Sequence, residues 1–139
     1  MTATDIAIET AQLAAQAASD KHGRSIVAFD VSDHLAITDI FLVVGARNER
    51  QVGAIVDNID EQLLKAGYKA VRREGERENR WVLLDFIDVV VHVQHEEERQ
   101  LYSLERLWKD CPRVELTLDA PPADEPDEFA SDDSADRGW

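Results

Sequence analysis

A chain of 139 residues, 44% of them hydrophobic, is long enough for one ordinary globular core, and its 29 acids against 15 Lys plus Arg give a formal net charge of −14. That acidity excludes a protein that wraps nucleic acid directly, because neutralised phosphates supply most of such affinity; it suits a basic partner surface instead. The single Cys111 excludes an intrachain disulfide, no apolar run approaches the ~20 residues that span a bilayer, and Asp5 and Glu9 sit where a secretory signal would be basic, so a soluble cytoplasmic protein is expected.

A first helix is predicted from Asp5 to Ser19, with Thr4 as its N-cap and Ile6, Thr10, Leu13 and Ala17 along one side. Gly23 ends it. Ser25 to Val31 alternates and is β-branched, which reads as a strand. A turn at Ser32 and Asp33 follows, with short extended structure at Leu35 to Ile37. Asp39 to Gly45 contains the run Ile40-Phe41-Leu42-Val43-Val44, the pattern of a strand buried on both faces. Asn48 with Gln51 three residues on forms a capping-box pattern, Val52, Ile55, Val56, Ile59 and Leu63 make a buried stripe, and Gly67 stands where a helix-terminating glycine belongs. Tyr68 to Arg73 reads as a third strand, followed by a polar loop, Glu74 to Arg80. Two further strands, Arg80 to Asp85 and Asp88 to Gln94, are close enough to require a hairpin. Glu96 to Lys109 reads as a helix with Leu101, Leu104, Leu107 and Trp108 inward; Pro112 stops it, and Val114 to Leu118 adds an edge strand. This order predicts an α/β (α+β) domain, a mixed sheet of about five strands flanked by helices, over residues 1–118. Residues 119–139 hold eight acids, one base and three of the four prolines, which predicts a disordered acidic tail.

The hairpin is the informative piece. A two-residue turn at Phe86-Ile87 pairs Asp85 with Asp88, Leu83 with Val90 and Trp81 with His92. Side chains alternate across a strand, so Val82, Leu84, Val89 and Val91 form an aliphatic core face. Trp81, Leu83, Val90 and His92 form the other, with Asp85 and Asp88 at the turn. Two readings of that second face stay open: a helix covers it and Trp81 is core, or it is a recognition surface built on an aromatic anchor.

Catalytic and metal constellations are poorly supported. His92 and His95 point to opposite faces of a strand, and with one cysteine and no H-E-x-x-H pattern a zinc site is not indicated. Asp30, Asp39, Asp85 and Asp88 lie at strand ends, where carboxylates can gather metal ions. The Gly-Ser turn and Asp-x-Asp strand of a nucleotidyltransferase are both absent, since His22-Gly23-Arg24-Ser25 and Asp30-Val31-Ser32 stand in their places. A metal-dependent nucleotidyltransferase-like enzyme using Asp30 and Asp39 is the alternative. Gly45-Ala46-Arg47-Asn48 opens a helix after a strand, a weak anion-site signal beside a plain helix start.

The run from Asp30 to Val44 resembles one fingerprint of the ribosomal silencing factor (RsfS, or Iojap) family. A second fingerprint is carried by Glu74-Gly75, Trp81 to Asp85, Val89 to His92, Arg99, Tyr102, Leu104-Glu105 and Leu107-Trp108. The resemblance covers about Asp5 to Leu118. It implies a nucleotidyltransferase-like fold without the catalytic residues and no cofactor. It also implies binding to the large ribosomal subunit through its ribosomal protein number fourteen, which blocks subunit joining and lowers translation in starvation or stationary phase. The motif positions implied to meet the partner are Trp81, Asp85, His92, Arg99, Tyr102 and Glu105, with Trp108 better placed for the core. Ile87 departs from the family, which often has glycine there, and Gly45-Ala46-Arg47 replaces small hydroxyl residues. A homodimer through the same face has the same composition, so sequence does not separate self-association from partner binding.

Overall fold

Helix α2 (Glu49–Lys65) begins where its chemistry requires: the Asn48 side chain accepts from the Gln51 N–H at 2.8 Å. The fully buried Gln51 side chain departs from a simple capping box. It accepts from the Arg47 N–H and donates to the carbonyls of Lys21 and His22, so it ties the start of α2 to the end of the first helix. At the other end Gly67 takes φ 97°, while its own N–H and that of Tyr68 reach back to Leu64 and Leu63. The predicted stripe from Val52 to Leu63 is buried.

The computed structural model describes residues 3–119 apart from Ala36 and Tyr102. Around α2 it places α1 (Asp5–Asp20), β1 (Arg24–Asp30), β2 (Ile40–Ala46), β3 (Arg72–Glu74), β4 (Trp81–Asp85), β5 (Val89–His95), α3 (Glu96–Leu101), α4 (Leu104–Leu107) and β6 (Arg113–Val114). The strands form a six-stranded sheet in the order β3-β4-β5-β2-β1-β6. Only β2 and β5 run parallel; the other pairs are antiparallel. This is the mixed α+β sheet the sequence implies, except that the edge strand expected from Val114 to Leu118 is shorter and earlier: only Arg113 and Val114 pair, with Phe29 and Ala28 of β1.

Both long helices lie on one side of the sheet. Ile40, Leu42, Val44, Val82, Leu84, Val89, Val91 and Val93 point toward them in one continuous core. Helix α1 meets that core through Ala7, Ala11, Ala14, Ala15 and Ala18, and Ile6 is exposed. The predicted stripe is therefore displaced, with Thr10 and Ala17 buried but Ile6 outside. Small side chains let α1 lie close to α2 and the sheet, and a bulkier stripe would hold it off. Thr4 caps α1 as expected, accepting from the Ala7 N–H.

Three expectations need correction. Tyr68 and Ala70 pack against the core without joining the sheet, because the Tyr68 N–H closes the α2 terminus; bonding to β4 begins with the Val71 N–H on the Asp85 carbonyl, and β3 itself at Arg72. Leu35 does not open an extended segment, since its N–H turns back onto the Val31 carbonyl. The predicted helix from Glu96 to Lys109 is broken: Ser103 caps a separate short helix by accepting from the Arg106 N–H. Such local side-chain bonding competes with helix continuation. As a result Leu101 and Leu107 are 72% and 69% exposed, whereas Leu104 and Trp108 pack on the sheet as predicted. The tail expected over 119–139 lies outside the described residues except for Asp119, whose N–H is held by Gln16 of α1.

Candidate recognition face

The second face of the sheet is set by the same alternation. Phe41 and Val43 from β2, Val90, His92 and Gln94 from β5, and Trp81, Leu83 and Asp85 from β4 lie across from one another in register. The hairpin pairs Asp85 with Val90, Leu83 with His92 and Trp81 with Gln94. The expected register was therefore wrong by two residues, a slip that preserves which side chains share a face. The slip follows from the turn. Asp85 accepts from the Ile87 N–H at 2.8 Å and Phe86 donates to the Val89 carbonyl, so the turn is longer than a two-residue hairpin. It also sets Ile87 at φ 73°, a backbone region that β-branched residues rarely occupy and glycine adopts freely.

Among the described residues the face is covered at one end only. Trp108 lies edge-on to Phe41, with ring centroids 5.4 Å apart, and near His34 and Cys111 in a second, smaller core around Phe29, Val31 and Val43. Toward β3 and β4 the face opens. A cavity of about 380 Å³ lies there between Leu35, Phe41, Leu83, Val90 and His92, with Asp85 and Arg72 at its mouth.

His92 is 6% exposed and sits at the centre of this arrangement. Its Nδ1 accepts the Trp81 Nε1–H at 3.1 Å, which places its own proton on Nε2, and Phe41 packs against the ring at 5.0 Å. Burial pushes its pKa down to about 4, so the ring is neutral at physiological pH. Trp81 is half-buried, between a core residue and a free anchor.

The other motif positions form a separate group. Arg99, with a side chain 11% exposed, grips Glu105 with two bonds of 3.0 and 2.9 Å and donates to the carbonyls of Arg24 and Ser25. Gly45 leaves room for that guanidinium: a Cβ there would lie 2.8 Å from Nη1. Arg99 and Glu105 thus fasten the segment after β5 to the start of β1, a structural task in the free protein. Tyr102 lies outside the described residues. Sequence reasoning brought Trp81, Asp85 and His92 together correctly but missed Thr38 and Leu35, which reach the cavity from the loop before β2. The legible signal was Phe41, which alternation places on the face of His92.

Asp30 and Asp39 have partners of their own. Asp30 accepts from the Ala3 N–H and from the Ser32 N–H and hydroxyl. Burial works to raise its pKa, and these hydrogen bonds outweigh it and hold the carboxyl below its usual range. Asp39 accepts from the Thr4 N–H at 3.0 Å. Both carboxylates therefore tether the entrance to α1. Among the described residues no group of three or more His, Cys, Asp or Glu is placed to hold a metal ion, and no helix is long and apolar enough to cross a membrane.

A mixed sheet with helices on one side and a half-open, aromatic face on the other defines a domain built to present a surface. The comparisons with known proteins say which. A family model described as "Ribosomal silencing factor during starvation" matches residues 4–138. The chain is 43% identical over 108 residues to the ribosomal silencing factor RsfS of Halalkalibacterium halodurans, covering 78% of this chain and 92% of the relative. It is 41% identical over 105 residues to that of Bacillus subtilis, covering 76% and 89%. A crystal structure of a Chromobacterium violaceum protein superposes with a TM-score of 0.71 at 35% identity, covering 73% of this chain and 84% of that one. The chain belongs to the ribosomal silencing factor family, a family of translation regulators.

Proposed function

We propose that this protein silences ribosomes in the cytoplasm during starvation or stationary phase by binding alone. It docks on the large ribosomal subunit through ribosomal protein number fourteen and sterically blocks joining of the small subunit. The observation that carries the reading is the open sheet face. Trp81, Leu83 and Val90, half-buried around the buried His92, leave a largely apolar surface that no helix of the described residues closes, in a chain whose family is one of ribosomal silencing factors. The net charge of −14 complements a basic ribosomal protein. Residues 1–118 carry the activity, and the acidic tail is dispensable for it. Of the motif residues, Trp81 and Asp85 meet the partner, His92 supports Trp81 from below, and Arg99 with Glu105 holds the neighbouring segment in place.

Co-sedimentation with purified large subunits, with and without small subunits, tests this. The protein should travel with free large subunits and be excluded from joined ribosomes. The same face could pair two copies of the chain, and sedimentation of the free protein at increasing concentration reports that directly.

A further inference from the structure

At the mouth of the cavity on the open face, one acid, Asp85, and one base, Arg72, stand beside walls made by Phe41, Leu83 and Val90. The two oxygens of Asp85 are held very differently. Oδ1 accepts the Ile87 N–H at 2.8 Å, whereas Oδ2 meets Arg72 Nη2 at 3.5 Å. A charge-assisted bond of this type closes to about 2.7–2.9 Å, so the contact is loose, although Arg72 and Asp85 face each other across β3 and β4. Arg72 is also shared, with its Nε 3.2 Å from Glu74, and its side chain is 60% exposed against 20% for Asp85. Ile37 and Ile87 stand exposed at the same mouth and extend the apolar walls outward.

We propose that Asp85 is the seat for a lysine or arginine of the partner surface, whose aliphatic stem lies in the cavity, and that Arg72 holds this seat in the free protein and yields it on docking. A partner that covers the face strips water from Asp85, and a desolvated carboxylate needs a close donor. The loose contact with Arg72 does not supply one. A neutral group over the cavity would leave the charge unpaired, and an anion would be repelled by it. A long basic side chain meets both demands, with its methylenes on the apolar walls and its head on Oδ2. The exchange costs little, because an exposed ion pair contributes little and Glu74 keeps Arg72 paired after the handover. The net charge of −14 favours a basic partner at this face. This inference rests on the large-subunit reading for the identity of the partner, whereas the seat itself can be tested without ribosomes.

Two experiments test the handover. In the first, affinity for purified large subunits is measured for wild type, Arg72→Ala and Arg77→Ala; Arg77 is an exposed residue of the loop before β4, and its loss changes the net charge equally. Arg72→Ala should bind about threefold more tightly than Arg77→Ala, the order of one exposed ion pair, with a melting temperature within about 2 °C of wild type. Unchanged or weakened binding by Arg72→Ala overturns the proposal, because Arg72 is then a strand clamp or itself a partner contact. Equal gains in the two variants overturn it as well, since net charge alone explains them. In the second experiment the protein is titrated with n-butylguanidinium, and separately with n-pentanol, while the Leu83 and Val90 methyls and the Asp85 carboxyl carbon are followed by NMR. The cation should give saturable shifts at all three, tighter by about threefold in Arg72→Ala and lost at the carboxyl in Asp85→Asn. Equal binding of the neutral alcohol, or no shift at the Asp85 carboxyl, overturns the seat. If wild-type protein fails to sediment with large subunits, the proposed function falls while the titration still decides the seat.

Discussion

The neutral, buried His92 makes the stability of this domain depend on pH. An unfolded histidine binds its proton near pH 6.5, whereas burial holds the native ring neutral down to about pH 4. Between those values the unfolded chain carries a proton that the native chain does not, so stability falls as pH falls. Protonation also destroys the Nδ1 acceptor used by Trp81. At pH 5 the loss from this residue alone amounts to about 2 kcal/mol, from 1.36 kcal/mol per unit over the part of the window crossed. Urea unfolding followed by tryptophan fluorescence at pH 7.5 and pH 5.0 measures it, with an expected midpoint drop of roughly 1 M or more. His92→Gln keeps an acceptor for Trp81 and cannot titrate, so it should lose far less over the same interval. Equal pH dependence in the wild type and His92→Gln would refute the assignment of a buried neutral imidazole.

Further outcomes follow from neighbouring contacts. Gly75→Ala should cost about 3 kcal/mol in urea unfolding, because a Cβ at φ 88° runs into the Trp81 carbonyl and displaces the start of β4. Arg99→Ala removes the Glu105 pair and two backbone carbonyl partners, and should destabilise by roughly 2 kcal/mol without weakening large-subunit affinity in the molecules that remain folded. Asp85→Asn retains an acceptor for the Ile87 N–H, so thermal unfolding should change little, while association with large subunits slows and becomes less salt-dependent. Truncation after Asp119 should leave both the melting temperature and large-subunit binding nearly unchanged, and a drop of several degrees would show that the tail packs on the domain.

What the sequence revealed and what it hid divide along a physical line. Helix α2 was readable apart from the long-range role of the Gln51 side chain, because its cap, stripe and terminating glycine are all local, from Asn48 to Gly67. The hairpin faces survived a wrong register because a slip of two residues conserves the alternation that sorts Val82 and Leu84 from Trp81 and Leu83. The segments that were misread depend on distant partners. Tyr68 to Ala70 has strand composition but spends its first N–H on the helix terminus, and α1 selects alanines because α2 and the sheet approach closely. The break at Ser103 follows from a single capping hydroxyl. Within the candidate site, Trp81, Asp85 and His92 were legible because they share one hairpin. Thr38 was not, because only the fold carries its loop to the cavity wall. Arg99 and Glu105 stood out as motif residues, but sequence could not show that they hold each other.

The central claim is that an open sheet face on this domain keeps ribosomal subunits apart by occupying the large one. The most direct measurement is light scattering during joining of purified large and small subunits, with wild-type protein, with Trp81→Ala and without addition. Wild-type protein should slow or abolish joining in proportion to its occupancy of large subunits, while folded Trp81→Ala should allow joining because its affinity falls by about 2 kcal/mol or more. Undiminished joining at saturating wild-type occupancy, or full blockade by the folded variant, would contradict the account.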